Sequence, residues 1–206
     1  NANYHALQTS FDRRFAGGLA LTAFYTWSKA IDSGSSGFFG VEGNSIQNPY
    51  STGPDRSVSS YDVPHNLVLS WVYELPMGKG KPVHTGNGVA DYILGHWQIN
   101  GIATFRSGTP VNVTISGDIA NTGNVNYMRP DLVGHWRVDN PSPDRWFNTS
   151  AFAAPAPFTF GNAGRNILRS DSVNRFDMSL FRNIPINERV FAQLRFEGYN
   201  VFNTVT

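Results

Sequence analysis

The feature that most constrains this chain is an alternation of apolar and polar residues with a period of two, repeated in several separate stretches. Between Leu19 and Ser28, Leu19, Leu21, Ala23, Tyr25 and Trp27 stand against Ala20, Thr22, Phe24, Thr26 and Ser28. Successive side chains of a strand point to opposite faces, so each such stretch builds one apolar and one polar wall. The same pattern runs from Leu7 to Asp12, from His65 to Leu75, from Trp97 to Arg106, from Arg175 to Leu180 and from Val190 to Glu197. Six strands are therefore expected. Ala16-Gly17-Gly18 joins the first two as a hairpin, and Asn187-Glu188 turns the chain before the last. The alternation slips at Leu180-Phe181, where a bulge is expected. The stretch Val89 to Leu94 suits either a brief helix or a strand.

Composition agrees with strands joined by turns. Charged residues make up 15% of the chain against about 25% in an average domain, while 20 Gly and 12 Pro supply turn residues. Sixteen Lys and Arg against 15 Asp and Glu leave a net charge of +1. Their scatter offers no basic stripe for nucleic acid, so no nucleic-acid partner is expected. No cysteine occurs, which excludes disulfides, thiolate metal sites and a cysteine nucleophile. No stretch approaches the roughly 18 to 20 apolar residues of a membrane helix. A barrel wall crosses lipid with strands of about 9 to 11 residues, apolar on one side only, so this leaves a membrane location open.

The connections alternate in length. Those at Gly17-Gly18 and at Ile186-Asn187-Glu188 are tight, whereas residues 32–62 and 108–172 are long and rich in Gly, Ser, Asn and Pro. Long loops at one end of the strands and short turns at the other are the habit of a membrane barrel; the connection from Pro76 to Gly95 is long for the short-turn end. Tyr25, Trp27, Trp71, Tyr73, Trp97 and Phe105 lie near strand ends on the apolar walls, where an interfacial aromatic girdle or the core of a sandwich would put them. Loop aromatics are numerous, among them Phe38, Phe39, Tyr50, Tyr61, Tyr127, Trp136, Trp146 and Phe147. Beside Asn and Asp they suit stacking on a sugar or on an aromatic ligand.

Signals for catalysis are weak. His5, His65, His84, His96 and His135 show no metal-ligand spacing, so neither a metal nor a cofactor is expected. Ser33-Gly34-Ser35-Ser36-Gly37 lacks the GxSxG pattern of a nucleophile elbow. Gly78-Lys79-Gly80-Lys81 lacks the spacing of a phosphate loop. Asp131, His135 and Ser150 share one long loop without spacing that would make them a hydrolase trio. Asn112-Val-Thr and Asn148-Thr-Ser match the glycosylation sequon, a short pattern that carries little weight by itself.

Five segments, YHALQTSFDRRFAGGLALTAFYTWSKAID, PHNLVLSWVYELPMGKGK, GHWQINGIATFRSGTPVNV, RWFNTSAFAAP and GNAGRNILRSDSVNRFDMSLFRNIPINERVFAQLRFEGYNVFNT, together resemble the C-terminal part of the barrel of TonB-dependent outer-membrane receptors. They are most similar to the Oar-like group, whose members carry a carboxypeptidase-regulatory-like N-terminal domain. The resemblance runs from Tyr4 to Thr206, and its most specific parts are Gly95 to Pro110 and the final RFEGYNVFNT. It implies an all-β antiparallel meander of about six to eight strands from a wide plugged transmembrane barrel, with residues 1–206 one barrel fragment and the long loops 32–62 and 108–172 on one side. A plug before Asn1 and a closing strand after Thr206 are expected in a longer parent.

The resemblance further implies that Leu21, Tyr25, Trp27, Leu69, Trp71, Trp97, Leu194 and Phe196 face lipid, while Glu74, Arg106, Arg175, Asp177, Arg195 and Glu197 face a lumen. The expected function is the wall and extracellular loops of a TonB-dependent transporter in the bacterial outer membrane, without catalysis. Tyr50, Tyr61, Tyr127, Trp136 and Trp146 are the expected contacts for a small ligand or glycan. Outer-membrane lipid and, through the plug, TonB are the expected partners. Unpaired edge strands in lipid leave several kcal/mol per backbone group unsatisfied, so the chain taken alone is expected to curl its apolar faces together or to associate with copies of itself. The rival expectations are a small β-rich hydrolase derived from such a fragment and a secreted carbohydrate-binding β module.

Overall fold

The computed structural model describes residues 1–34, 46–48, 50–123, 128–187 and 189–204. In chain order the strands are β1 (Ala2–Ala16), β2 (Leu19–Asp32), β3 (Ser57–Val58), β4 (His65–Glu74), β5 (Trp97–Arg106), β6 (Pro110–Val111), β7 (Asp131–Leu132), β8 (Phe152–Ala153), β9 (Leu168–Arg169), β10 (Val173–Pro185) and β11 (Phe191–Gly198). The helix α1 (Gly88–Leu94) lies between β4 and β5. The fold is all-β and antiparallel. Six long strands pair in the order β1-β2-β4-β5-β10-β11, with β3 appended to β2, so β1 and β11 are the edges of an open sheet. Chain neighbours among the long strands are sheet neighbours throughout, which is the expected meander; the apolar faces do not curl into a small closed barrel.

The turn between β1 and β2 follows from its two glycines. Gly17 and Gly18 have φ of 61° and 84°, the left-handed pair that a two-residue hairpin matching the strand twist demands. Between β10 and β11 the chain reverses through Asn187, whose side-chain oxygen accepts from the Arg189 and Val190 amides. The segment 88–94 resolves as a helix because Asn87 caps it, its Oδ1 accepting from Val89 N at 3.0 Å and Ala90 N at 3.3 Å. Asp91 secures the same segment from within, accepting from the Thr85 amide at 2.6 Å and hydroxyl at 2.9 Å. These bonds hold its carboxyl below the usual 3.8, the Thr85 amide being the largest influence.

One local expectation fails. No bulge occurs at Leu180-Phe181, since β10 pairs without interruption with β5 from Val173 to Arg182 and with β11 from Met178 to Pro185. The sequence slips because an aromatic stands on the polar side. Phe181 faces its cross-strand partner Arg195, whose guanidinium lies 4.8 Å from the ring centroid, so a cation–π contact satisfies both.

The chain divides into two compact units. One gathers Asn1–His5, Ser28–Val63 and Gly108–Asp171, which is to say the long connections with the strand ends that feed them; the other holds Ala6–Trp27, Pro64–Ser107 and Ser172–Thr206. Among the described residues no helix is long and apolar enough to cross a membrane.

Candidate functional site

The registers of the sheet sort its side chains into two sets. Directly paired residues share a face, so Leu21↔Trp71↔Gly101↔Met178↔Gly198 and Ala23↔Leu69↔Ala103↔Phe176 are rows on one face. Tyr25, Trp27, Trp97, Leu194 and Phe196 fall on that same face. Glu74, Arg106, Arg175, Asp177, Arg195 and Glu197 all fall on the other. The two groups read from the sequence are thus separated by the backbone without a single exchange.

The faces differ in how they are satisfied. On the polar side, Gln98 Nε2 donates to Asn100 Oδ1 at 2.5 Å, Asn100 Nδ2 to Ser179 Oγ at 3.3 Å and Gln193 Nε2 to Asn183 Oδ1 at 2.7 Å. Arg195 Nε donates to Gln193 Oε1 at 2.5 Å, Arg175 Nε to Asp177 Oδ1 at 3.0 Å, and Thr22 Oγ1 to Asp12 Oδ1 at 3.0 Å. Such a ladder belongs to a wall that meets water. On the apolar side Leu21, Leu69, Trp71 and Ile99 are only half-buried. In a soluble sandwich these central residues would be packed out of solvent; here the sheet's fully buried apolar side chain is Ala103. Trp71 lies flat across Gly101, where a Cβ would come within 2.2 Å of the indole. That glycine makes room for the ring.

The long connections have an interior of their own, and it is ionic. Arg129 and Asp55, exposed by 2% and 1% at their side chains, pair at 2.5 Å. Arg165 pairs with Asp32, and its Nε donates to the Asp55 carbonyl at 2.9 Å. Arg169 pairs with Asp62 and donates through Nη1 to the Gly108 carbonyl at 2.9 Å. Every carboxylate comes from residues 32–62 and every guanidinium from residues 108–172. Gln47 bridges the same two segments, accepting from the Arg129 amide at 2.7 Å and donating to the Gly161 carbonyl at 3.0 Å. Met128, Ala151, Ala163 and Leu168 are the buried apolar residues described in this unit.

A cavity of about 540 Å³ opens in this unit. Trp136, Trp146, Lys29, Arg137, Arg169 and Asn166 line it among others, and among the described residues no carboxylate does. Trp146 is fixed by its Nε1 donating to the Arg169 carbonyl at 2.7 Å. Trp136 is held through Asn148, whose amide donates to the Trp136 carbonyl at 2.8 Å and whose Nδ2 donates to the His135 carbonyl at 3.1 Å. The sequon asparagine is thus a structural tie. Arg137 lies 5.1 Å over the Trp136 ring and makes no ion pair among the described residues, while Lys29 and Arg169 share Asp62. A ligand of a few hundred Å³ can stack on indole here while its acceptors meet the cations.

Of the five aromatics read from the sequence as ligand contacts, Trp136 and Trp146 meet in this cavity. Tyr61 borders a separate hollow of about 560 Å³ with Tyr4 and Asp32, and Tyr50, 98% exposed, lines neither. Tyr127 lies outside the described residues, as do Phe38, Phe39 and Ser35-Ser36-Gly37. The hydrolase trio does not assemble: Asp131 Oδ1 accepts from the Asn162 amide and the Ser150 hydroxyl donates to Asn148 Oδ1. Among the described residues no three His, Asp or Glu converge as a metal site would require. The ion pairs and the cationic lining were missed from sequence, and the loops' own composition carried no signal of them, since residues 108–172 also hold Asp118, Asp131, Asp139, Asp144 and Asp171 and residues 32–62 also hold Arg56.

An open antiparallel meander with one apolar and one hydrogen-bonded face, short turns and long structured connections, is the wall of a membrane β-barrel. The chain belongs to the outer membrane beta barrel domain family, whose model matches residues 1–206. That places it in the bacterial outer membrane. No curated protein and no solved structure matches the chain significantly.

Proposed function

We propose that this chain is part of the barrel of a TonB-dependent outer-membrane transporter of the Oar-like group, catalysing no reaction. Its strands are the wall, with Leu21, Tyr25, Trp27, Leu69, Trp71, Trp97, Leu194 and Phe196 toward lipid and Glu74, Arg106, Arg175, Asp177, Arg195 and Glu197 toward the lumen. Its ion-paired connections are extracellular and receive a small ligand or glycan in the cavity of Trp136 and Trp146. The observation that carries the reading is the complete separation of the two residue sets onto opposite faces of one open sheet. The partition supports a barrel wall, and the family resemblance of Gly95–Pro110 and of the last strand supports the narrower TonB-dependent identity.

The test is made on the full-length parent protein. It is expected in the outer-membrane fraction, to migrate differently on gels when heated, and to retain the periplasmic domain of TonB on an affinity column. Recovery in the soluble fraction overturns the wall; membrane recovery without TonB retention overturns the transporter and leaves the wall.

A further inference from the structure

We propose that α1 is an interfacial helix, seated in the phospholipid headgroup layer at the short-turn end of the barrel and pinned there by Arg182. The inference rests on the reading that the apolar sheet face meets lipid, and extends it to a connection that no barrel wall requires.

The helix has a largely exposed apolar face. Val89, Tyr92 and Ile93, at spacings of three and four residues, form one stripe, and they are 71%, 48% and 54% exposed. A stripe of this kind on a seven-residue helix is unstable in water unless something apolar covers it. The polar side is closed instead: Asp91 is buried and committed to Thr85, and Gly95 N returns to the Asp91 carbonyl at 2.9 Å.

The helix is also fastened to the apolar face of the sheet. Trp97 and Arg182 are cross-strand partners on that face. Trp97 Nε1 donates to the Ile93 carbonyl at 3.0 Å, and Arg182 Nη2 donates to the Tyr92 carbonyl at 2.6 Å. The Arg182 guanidinium lies 5.5 Å from the Tyr92 ring centroid and 5.6 Å from that of Trp97. Two helix carbonyls left open at its C-terminal end are satisfied in this way. The apolar stripe therefore continues the sheet surface that carries Ile99 and Leu180, and it ends in a Tyr, a Trp and an Arg, the residues that favour the boundary between acyl chains and headgroups. Lys79, exposed and without an ion pair among the described residues, adds positive charge in the same connection. An apolar stripe rimmed by aromatics and cations fits a lipid surface better than a protein, whose binding surfaces disfavour Lys.

The connection has the length it has for this reason. A barrel needs only a few residues between β4 and β5 at this end; Asn87, Thr85 and Asp91 serve solely to hold a helix that presents apolar side chains sideways.

The experiment uses the full-length parent, with any cysteine outside residues 1–206 replaced by Ser, in vesicles of phosphatidylcholine and phosphatidylglycerol, with a bimane probe placed by Val89→Cys, Ile93→Cys, Ile99→Cys or Tyr50→Cys. Quenching is read with nitroxides near the headgroup or deep in the acyl chain, and with iodide on both sides of the bilayer. The helix probes are expected to lose about half their emission to the shallow nitroxide and little to iodide, as an interfacial seat dictates. Ile99 should respond to lipid nitroxides and Tyr50 to iodide alone. Arg182→Gln should move the helix probes toward the iodide response while Ile99 is unchanged. Helix probes that iodide quenches as it does Tyr50, with Ile99 still reached by lipid, overturn the seat and spare the wall. Helix probes that neither reagent reaches reveal a protein cover and overturn it equally. If iodide reaches Ile99 too, the wall fails and the seat with it.

Discussion

Replacing Arg129 with Met should open the long-connection unit without touching the sheet. The side chains of Arg129 and Asp55 are almost wholly buried, with Nη1 and Oδ1 2.5 Å apart. Once the guanidinium is gone, Asp55 keeps the distant Gln47 amide at 3.4 Å, while its second oxygen already has no partner. Two unit charges about 4 Å apart in an effective dielectric of about 20 attract by roughly 4 kcal/mol, and breaking one side of a buried pair costs about 3–5 kcal/mol because the other charge is left uncompensated. Hydrogen exchange on the full-length protein reads the loss directly. The Ala163 amide, which donates to the Pro130 carbonyl at 3.0 Å, and the Val133 amide, which donates to Ala151 at 2.8 Å, report on the unit. Their protection should fall by about two to three and a half powers of ten, since each factor of ten is about 1.4 kcal/mol. Amides of β10 and β5 should not change. Adding Asp55→Leu removes the stranded carboxylate, so the double variant should recover most of the protection. A loss below about tenfold in Arg129→Met, or a double variant no better protected than the single one, refutes the view that paired charges hold this unit together.

Four other outcomes are expected. Gly161→Ala puts a Cβ 1.9 Å from the Arg129 carbonyl oxygen, and should lower exchange protection at Ala163 as Arg129→Met does. Gly101→Ala presses on the Trp71 indole and should cost about 1–3 kcal/mol, seen as a lower temperature for the heat-induced gel shift; Trp71→Ala in the same protein should remove part of that added cost. The Asp91 carboxyl is held below 3.8 in the fold, so its stabilising effect is complete above the unfolded value and is lost as pH falls through the folded one. Exchange protection at Gly95 should therefore drop below about pH 3.8 and lose that dependence in Asp91→Asn. Trp136→Ala and Trp146→Ala, tested on cells carrying the full-length parent and offered acidic oligosaccharides, should each reduce cell-surface binding, whereas Tyr50→Ala should not; undiminished binding in both Trp variants removes the cavity from the ligand's path.

The sheet was readable from the sequence because strand geometry converts local order into a global partition. Once Leu69 and Trp71 are known to be on one side of a strand, the pairing of that strand with its neighbours puts Leu21 and Ala23, then Gly101 and Ala103, on the same side. No long-range information is needed beyond register, and short turns such as Gly17-Gly18 fix that locally. Phe181 misled because alternation counts it as apolar, while in the fold it serves a cation across the strand. Helix α1 stayed open between two readings because six residues of mixed pattern do not separate a period of 3.6 from a period of two; the deciding residue was the cap, Asn87, just outside the stretch.

The long connections were illegible for the opposite reason. Their interior is made of pairs separated by as many as 133 residues, Arg165 with Asp32 being the widest, and nothing near either residue names the other. Composition recorded balanced charge and abundant Gly, Ser and Asn, which reads as solvated loop. Balance is what burial of charge requires: each guanidinium taken out of water must meet a carboxylate. In the three pairs Arg129–Asp55, Arg165–Asp32 and Arg169–Asp62 the acid comes from one connection and the base from the other, so neither connection can bury those charges alone. The same division shapes the cavity. Much of its lining is drawn from the connection that carries the arginines, and Asp62, the partner of two of its lining cations, is shared by Arg169 and Lys29. Among the described residues the lining offers a ligand indole, positive charge and the polar groups of Ser57, Asn166 and Ser170, so the cross-connection pairing that folds this unit also leaves cations at the cavity.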